Sequence, residues 1–158
     1  MTVKSTLLGI AVLALLAAGA WWARSPSAPP AAMAPASGGD DLPDVTLAAA
    51  TADADGVRIT LSLSPNPPVA FAKMRVRVRA ESGGTPVTLD NGRVWFEMVM
   101  PMGDHRYSLV PADQGWQTAE VVLPLCPSGK RRWYATVEGT VAGQPRTARF
   151  RLDLAVPK

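Results

Sequence analysis

The chain reads as an all-β protein, an antiparallel β-sandwich of seven to eight strands behind one N-terminal hydrophobic helix, and three observations predict this. From Val57 onward the apolar residues recur with period two rather than 3.6. Gly, Pro, Asn and Ser turn residues separate these runs at short intervals. About 115 residues follow position 43, a common length for one domain with a single core.

Taken in order, the first element is an export segment over residues 1–23. Thr6 to Trp22 carry no charge, with Lys4 before them and Arg24 after. Two outcomes stand open. The run is near the short limit for a membrane span, about 17 residues, and Trp21-Trp22 suits the headgroup layer, which favours a retained signal anchor. Ala18-Gly19-Ala20 also fits a small-x-small cleavage site, which favours a removed signal peptide. In both, Lys4 and the α-amine keep the amino end in the cytoplasm and the remainder is exported. The expected location is the bacterial inner membrane, single-pass, with the domain in the periplasm. Cleavage near Ala20 would instead leave a soluble periplasmic or secreted protein. No cysteine directly follows the segment, so the usual lipoprotein route is excluded.

Residues 24–43 are Pro, Ala, Ser and Gly with almost nothing to bury, and read as a flexible linker. Residues 44–158 form the sandwich. A weak strand lies near Val45 to Ala50. Val57, Ile59, Leu61 and Leu63 then alternate with Arg58, Thr60 and Ser62; Met74, Val76 and Val78 alternate with Lys73, Arg75, Arg77 and Arg79. Val94, Phe96 and Met98 share a face of the next strand, Tyr107 to Val110 make another, and Ala119, Val121, Leu123 and Leu125 a further one. Trp133, Ala135 and Val137, then Ala148, Phe150, Leu152 and Leu154, complete the set. Trp95, Trp116 and Trp133 belong to the core or its edge. With one cysteine, no intersheet disulfide of the antibody type can form.

The net charge of +3 hides a nearly neutral domain, since residues 40–158 hold fourteen Lys and Arg against thirteen Asp and Glu. That balance argues against nucleic acid as a partner. Five of the acids precede Arg58, so the rest of the domain is basic: its strand faces are either simply solvated or offered to an acidic partner or anionic lipid.

Chemistry concentrates in Met98-Val-Met100-Pro-Met102-Gly-Asp-His105. It holds three of six methionines and the only histidine, and the only cysteine, Cys126, follows later. Thioether, imidazole and thiolate together select Cu(I) over harder cations. Strand alternation assigns Met98 to the core and leaves Met100 at the strand end, where Pro101 breaks the ladder. Gly103-Asp104 fits a two-residue hairpin turn with positive φ at the glycine. In that register Met102 faces His105, with Cβ atoms about 5 Å apart, and Met100 faces Tyr107. Asp104 points elsewhere, so no Asp–His dyad follows from adjacency. The bland alternative is a Met, His and Tyr cap on the open end of the sandwich. Zinc is disfavoured because it prefers Cys, His and carboxylate. Cys126 sits in antiphase to Leu123 and Leu125 before a Pro-Ser-Gly turn. It is either a small buried hydrophobe or a thiolate ligand favoured by Lys130, Arg131 and Arg132.

These segments carry a resemblance. Gly84-Thr-Pro-Val87, the strand Val94 to Met98, Met-Pro-Met-Gly at 100–103, the aromatic strand around Trp133 and the closing Arg149-Phe-Arg-Leu152 resemble the YtkA-like family of exported immunoglobulin-like domains, grouped loosely with FixH-like accessory proteins. The resemblance spans roughly residues 55–155, and Met-Pro-Met-Gly is its most specific piece. It implies an immunoglobulin-like sandwich and, for some members, copper handling or respiratory oxidase assembly. Cys126 lies outside the family pattern, so the resemblance assigns it no role.

Three function classes follow. A copper accessory protein would bind Cu(I) through Met100, Met102, His105 and Cys126 and pass it to an oxidase or a copper carrier. A structural module without metal would steady a membrane complex. An enzyme is not expected, because one His and one Cys have no third orienting group. A blue-copper electron-transfer site is disfavoured too, since no histidine follows Cys126.

Overall fold

The period-two runs become strands in the structure, a computed structural model that describes residues 41–157. Ten strands are formed among them: β1 Ala50–Ala54, β2 Val57–Ser64, β3 Met74–Ser82, β4 Thr85–Val87, β5 Asp90–Glu97, β6 Arg106–Ser108, β7 Val110–Pro111, β8 Trp116–Val121, β9 Arg132–Val141 and β10 Gln144–Asp153. They make two antiparallel sheets. One runs β1-β2-β3-β8-β7 with β4 also on β3, and the other runs β10-β9-β5-β6. The only helix among the described residues is the short 3-10 turn Asp113–Gly115, so no described helix is long and apolar enough to cross a membrane. The export segment and the linker through residue 40 lie outside the described residues.

Tight turns fix the register of three hairpins. Asp55-Gly56, Gly83-Gly84 and Ala142-Gly143 all have positive φ at both positions. That geometry matches the twist of paired strands and selects glycine. Alternation then turns Ile59, Leu61, Val76 and Val78 of one sheet toward Val94, Phe96, Trp133, Phe150 and Leu152 of the other, and all are buried in one cluster. Full burial of such a side chain is worth about 1.5–3 kcal/mol.

Three sequence expectations are corrected. The weak strand expected near Val45 to Ala50 does not form over that range. Asp44 bridges Arg151 of β10 in parallel, Val45 N–H donates to Arg151 C=O at 2.9 Å, and the β-hairpin strand begins only at Ala50. The single strand expected over Tyr107 to Val110 is cut in two because the chain changes sheets at Leu109. Its N–H donates to Gly92 C=O at 2.8 Å, leaving β6 in one sheet and β7 in the other. The alternation through Leu125 stops after Leu123. Val121 ends β8, and past Pro124 Cys126 turns inward despite its antiphase position.

Several strand arginines pair with acids on other strands. Arg93 meets Glu138 at 2.8 Å, Arg149 meets Glu97 at 2.9 Å, Arg58 meets Glu81 at 2.8 Å and Arg132 meets Asp153 at 3.2 Å. Arg77 instead lies 4.5 Å over the Trp116 ring, on the outer face of its sheet. Arg93, Arg58 and Arg132 are thus matched to acids on the neighbouring strand and Arg149 to one across β9, whereas Arg79 pairs with Glu81 of its own strand.

Candidate metal centre

β5 and β9 are antiparallel with Glu97 opposite Tyr134, so the exit of β5 and the entry of β9 share one end of the sandwich. Residues 98–105 leave β5 there, and residues 122–131 arrive there from β8. Topology alone thus brings the methionine run and the Cys126 turn to one rim. Tyr107 strengthens the join by donating its hydroxyl to Val122 C=O at 3.0 Å while its ring packs edge-on to Phe96 at 6.2 Å.

The hairpin register differs from the expected one. Val94, not Met100, faces Tyr107, and Phe96 N–H donates to His105 C=O at 3.0 Å. His105 therefore lies opposite Phe96 in the ladder, and residues 98–105 form a wide loop instead of a two-residue turn. Gly103 does take positive φ, at 95°. The loop still brings Met102 and His105 together, through a different contact. The His105 ring Nε2 lies 3.0 Å from the Met102 carbonyl oxygen. A carbonyl can only accept, so Nε2 is the donor in this contact, and in the neutral ring Nδ1 would be the nitrogen with the lone pair that a metal uses. The imidazole is further fixed edge-on to Trp133, with centroids 5.3 Å apart. A ring held on one side by a backbone acceptor and on another by a buried indole is pre-oriented, as metal-binding histidines commonly are. Asp104 turns to Arg106, 3.4 Å away.

Met98 is core, at 8 % exposure, and Met100 stands out at 42 %. Met100 meets the other loop. Ser128 Oγ lies 2.9 Å from Cys126 Sγ and 3.9 Å from Met100 Sδ, so the two sulfurs are separated by no more than the sum of those distances. A soft metal bridging two sulfurs needs them at most about 4–5 Å apart, twice a metal–sulfur bond of about 2.3 Å. At that upper bound the flexible Met100 thioether would have to move by about 2 Å for both sulfurs to hold one ion. Cys126 is 3 % exposed and packs in the core cluster, and its turn is closed by Gly129 N–H donating to Cys126 C=O at 2.9 Å.

Ser128 also sets the protonation of the thiol. Its hydroxyl and backbone N–H, with the Lys130 ammonium behind them, hold Cys126 below the ordinary thiol value against the opposing effect of burial. The single hydroxyl proton can serve one sulfur at a time. When Cys126 is a thiol, its S–H donates to Ser128 Oγ and the hydroxyl proton is left for Met100; when Cys126 is a thiolate, Ser128 donates to it.

Of the four candidate donors on this rim, Met100 and Cys126 have their sulfurs linked by Ser128, whereas Met102 meets His105 through its backbone carbonyl and not its sulfur. Among the described residues no three His, Cys, Asp or Glu side chains cluster closely enough to hold a metal ion, so a site on this rim must use thioethers. Sequence reasoning missed Ser128 and the packing of His105 on Trp133. The first had a signal, a hydroxyl two residues beyond a cysteine in a turn; the second depends on an approach over β5 within one sheet that period-two patterning does not encode. No family model matches the chain, and neither a curated protein nor a solved structure does.

Proposed function

We propose that the chain is a membrane-tethered periplasmic protein whose immunoglobulin-like sandwich binds Cu(I) at the rim formed by residues 98–105 and 126–131, and assists copper delivery or respiratory oxidase assembly. The observation that carries this is Ser128, whose hydroxyl stands between the Cys126 and Met100 sulfurs on the rim that also bears Met102 and His105. Soft donors of three kinds on one edge suit a monovalent soft ion. The uncharged run Thr6 to Trp22 supports export and tethering.

Cargo transfer suits these residues better than permanent storage. Met100 is exposed and Met102 half-buried, so an incoming ligand can replace one thioether before the next leaves. Cys126 loses its proton when it takes the ion, and Ser128 is already placed to donate to the resulting thiolate. Nδ1 of His105 supplies a borderline nitrogen without breaking the Nε2–H bond to Met102 C=O.

A competition titration against a chromogenic Cu(I) chelator tests the proposal. Under reductant the full chain should bind about one ion. Met102→Ala and His105→Ala should each weaken binding by at least about tenfold. Full retention in both variants would sink it.

A further inference from the structure

We propose that the cleft beside Met100 docks an acidic, apolar peptide segment of a partner protein, a role that goes beyond copper binding and does not require it. The cleft has a volume of about 330 Å³ and is lined by Val99, Met100, Lys130, Arg131 and Tyr134, with the Arg132–Asp153 pair along it. That volume sits near the lower end of ligand-sized pockets, about 300 Å³, enough for one or two side chains.

Charge identifies the occupant. The strand arginines Arg93, Arg149, Arg58 and Arg132 each have a carboxylate within ion-pair distance. Lys130 and Arg131, both exposed, have none among the described residues. Two cations without a carboxylate partner therefore flank a concave apolar floor. Val99 is 68 % exposed beside them, a large aliphatic group left in water next to Met100 at 42 %. An extended segment that alternates carboxylates with aliphatic side chains satisfies both features: the acids meet Lys130 and Arg131, and an aliphatic side chain enters the cleft against Met100 and the buried Tyr134. A flat layer of lipid headgroups could neutralise the cations but would leave the cleft unfilled. A partner docked there would lie against one of the proposed copper ligands.

The test is fluorescence anisotropy of a labelled synthetic peptide of alternating Glu and Leu, titrated with the metal-free full chain in neutral detergent. The wild type should bind saturably, and binding should weaken as salt rises. A Gln/Leu peptide, and the Lys130→Glu/Arg131→Glu variant, should each bind at least about tenfold more weakly. Arg58→Glu, on the outer face of the other sheet, should bind as wild type. Met102→Ala/His105→Ala should also bind as wild type, so that peptide docking and copper binding fail separately. Equal binding by the Lys130/Arg131 variant, no binding of the Glu/Leu peptide, or binding only to phosphatidylglycerol vesicles in its place would overturn the proposal.

Discussion

Ser128 is the residue on which the rim's chemistry turns, because one hydroxyl serves two sulfurs. Replacing it by alanine removes the donor that stabilises the thiolate, so the Cys126 thiol should move up toward its ordinary value. The pH midpoint for alkylation by iodoacetamide should rise in Ser128→Ala, and an unchanged midpoint would show that the turn backbone and Lys130 suffice. A second residue carries an acid-side prediction. Burial pushes the Asp44 carboxyl up, but the Thr46 hydroxyl and N–H together with Arg151 and Arg132 outweigh it and hold the group below its ordinary value. A depressed carboxyl stabilises the fold above its unfolded value, about 3.9, and loses that contribution as pH falls through the lower folded value. Asp44→Asn should therefore lower the thermal midpoint at pH 7 by an amount worth about 1 kcal/mol or less, since the group is partly exposed. The two melting curves should converge in strong acid; a difference that persists there would point to lost packing instead. At this scale the sequence was informative where alternation speaks, as for Met98 and Met74 in the core. It was silent on which hydrogen bond would seat His105.

Among the elements, β5 decides where the rim residues fall. The ladder it makes with β6 places Val94 opposite Tyr107, so the loop is wide and Met100 is released toward Ser128. Gly103-Asp104 suggested a two-residue turn because such pairs favour one locally. The register was set instead by Phe96 and His105, and by Leu109, which carries the chain into the other sheet. At the opposite part of β5 the ladder shifts between Asp90 and Arg93, and the irregular backbone is satisfied by a buried side chain. Gln117 Oε1 accepts from Leu89 N–H at 3.0 Å and its Nε2 donates to Leu89 C=O at 3.0 Å. Gln117→Ala should cost about 1–3 kcal/mol, the penalty for leaving the buried Leu89 N–H unpaired, since Leu89 C=O still accepts from Gly92 N–H at 3.2 Å; urea unfolding measures it. Beside it, a Cβ at Gly139 would stand 2.9 Å from Leu89 Cβ and 3.2 Å from Asp90 O. Gly139→Ala should thus destabilise by about 1–3 kcal/mol through overpacking; a neutral result would mean that the β5 irregularity can shift at little cost. Neither device was visible in the chain, since both depend on a bulge whose position alternation does not mark.

For the whole molecule, period-two patterning and turn residues were enough to foresee two antiparallel sheets closed on one apolar core. They could not foresee that short pieces such as β4, β6 and β7 would be shared between sheets, because sheet-switching is fixed by single backbone bonds such as Leu109 N–H to Gly92 C=O. Sheet order has a functional consequence. By pairing β5 with β9 it joins two loops far apart in sequence into one rim, and sets two cations of the second loop beside the exposed methionine of the first. On the proposed reading, such a rim would both carry a soft ion and meet a protein that takes it. The most direct measurement is X-ray absorption at the copper edge on the full chain loaded with one equivalent of Cu(I). The expected result is a shell of one imidazole nitrogen with two or three sulfurs at about 2.3 Å, the imidazole signal vanishing in His105→Ala. A shell of nitrogen and oxygen alone, or a chain that retains no copper, would contradict it.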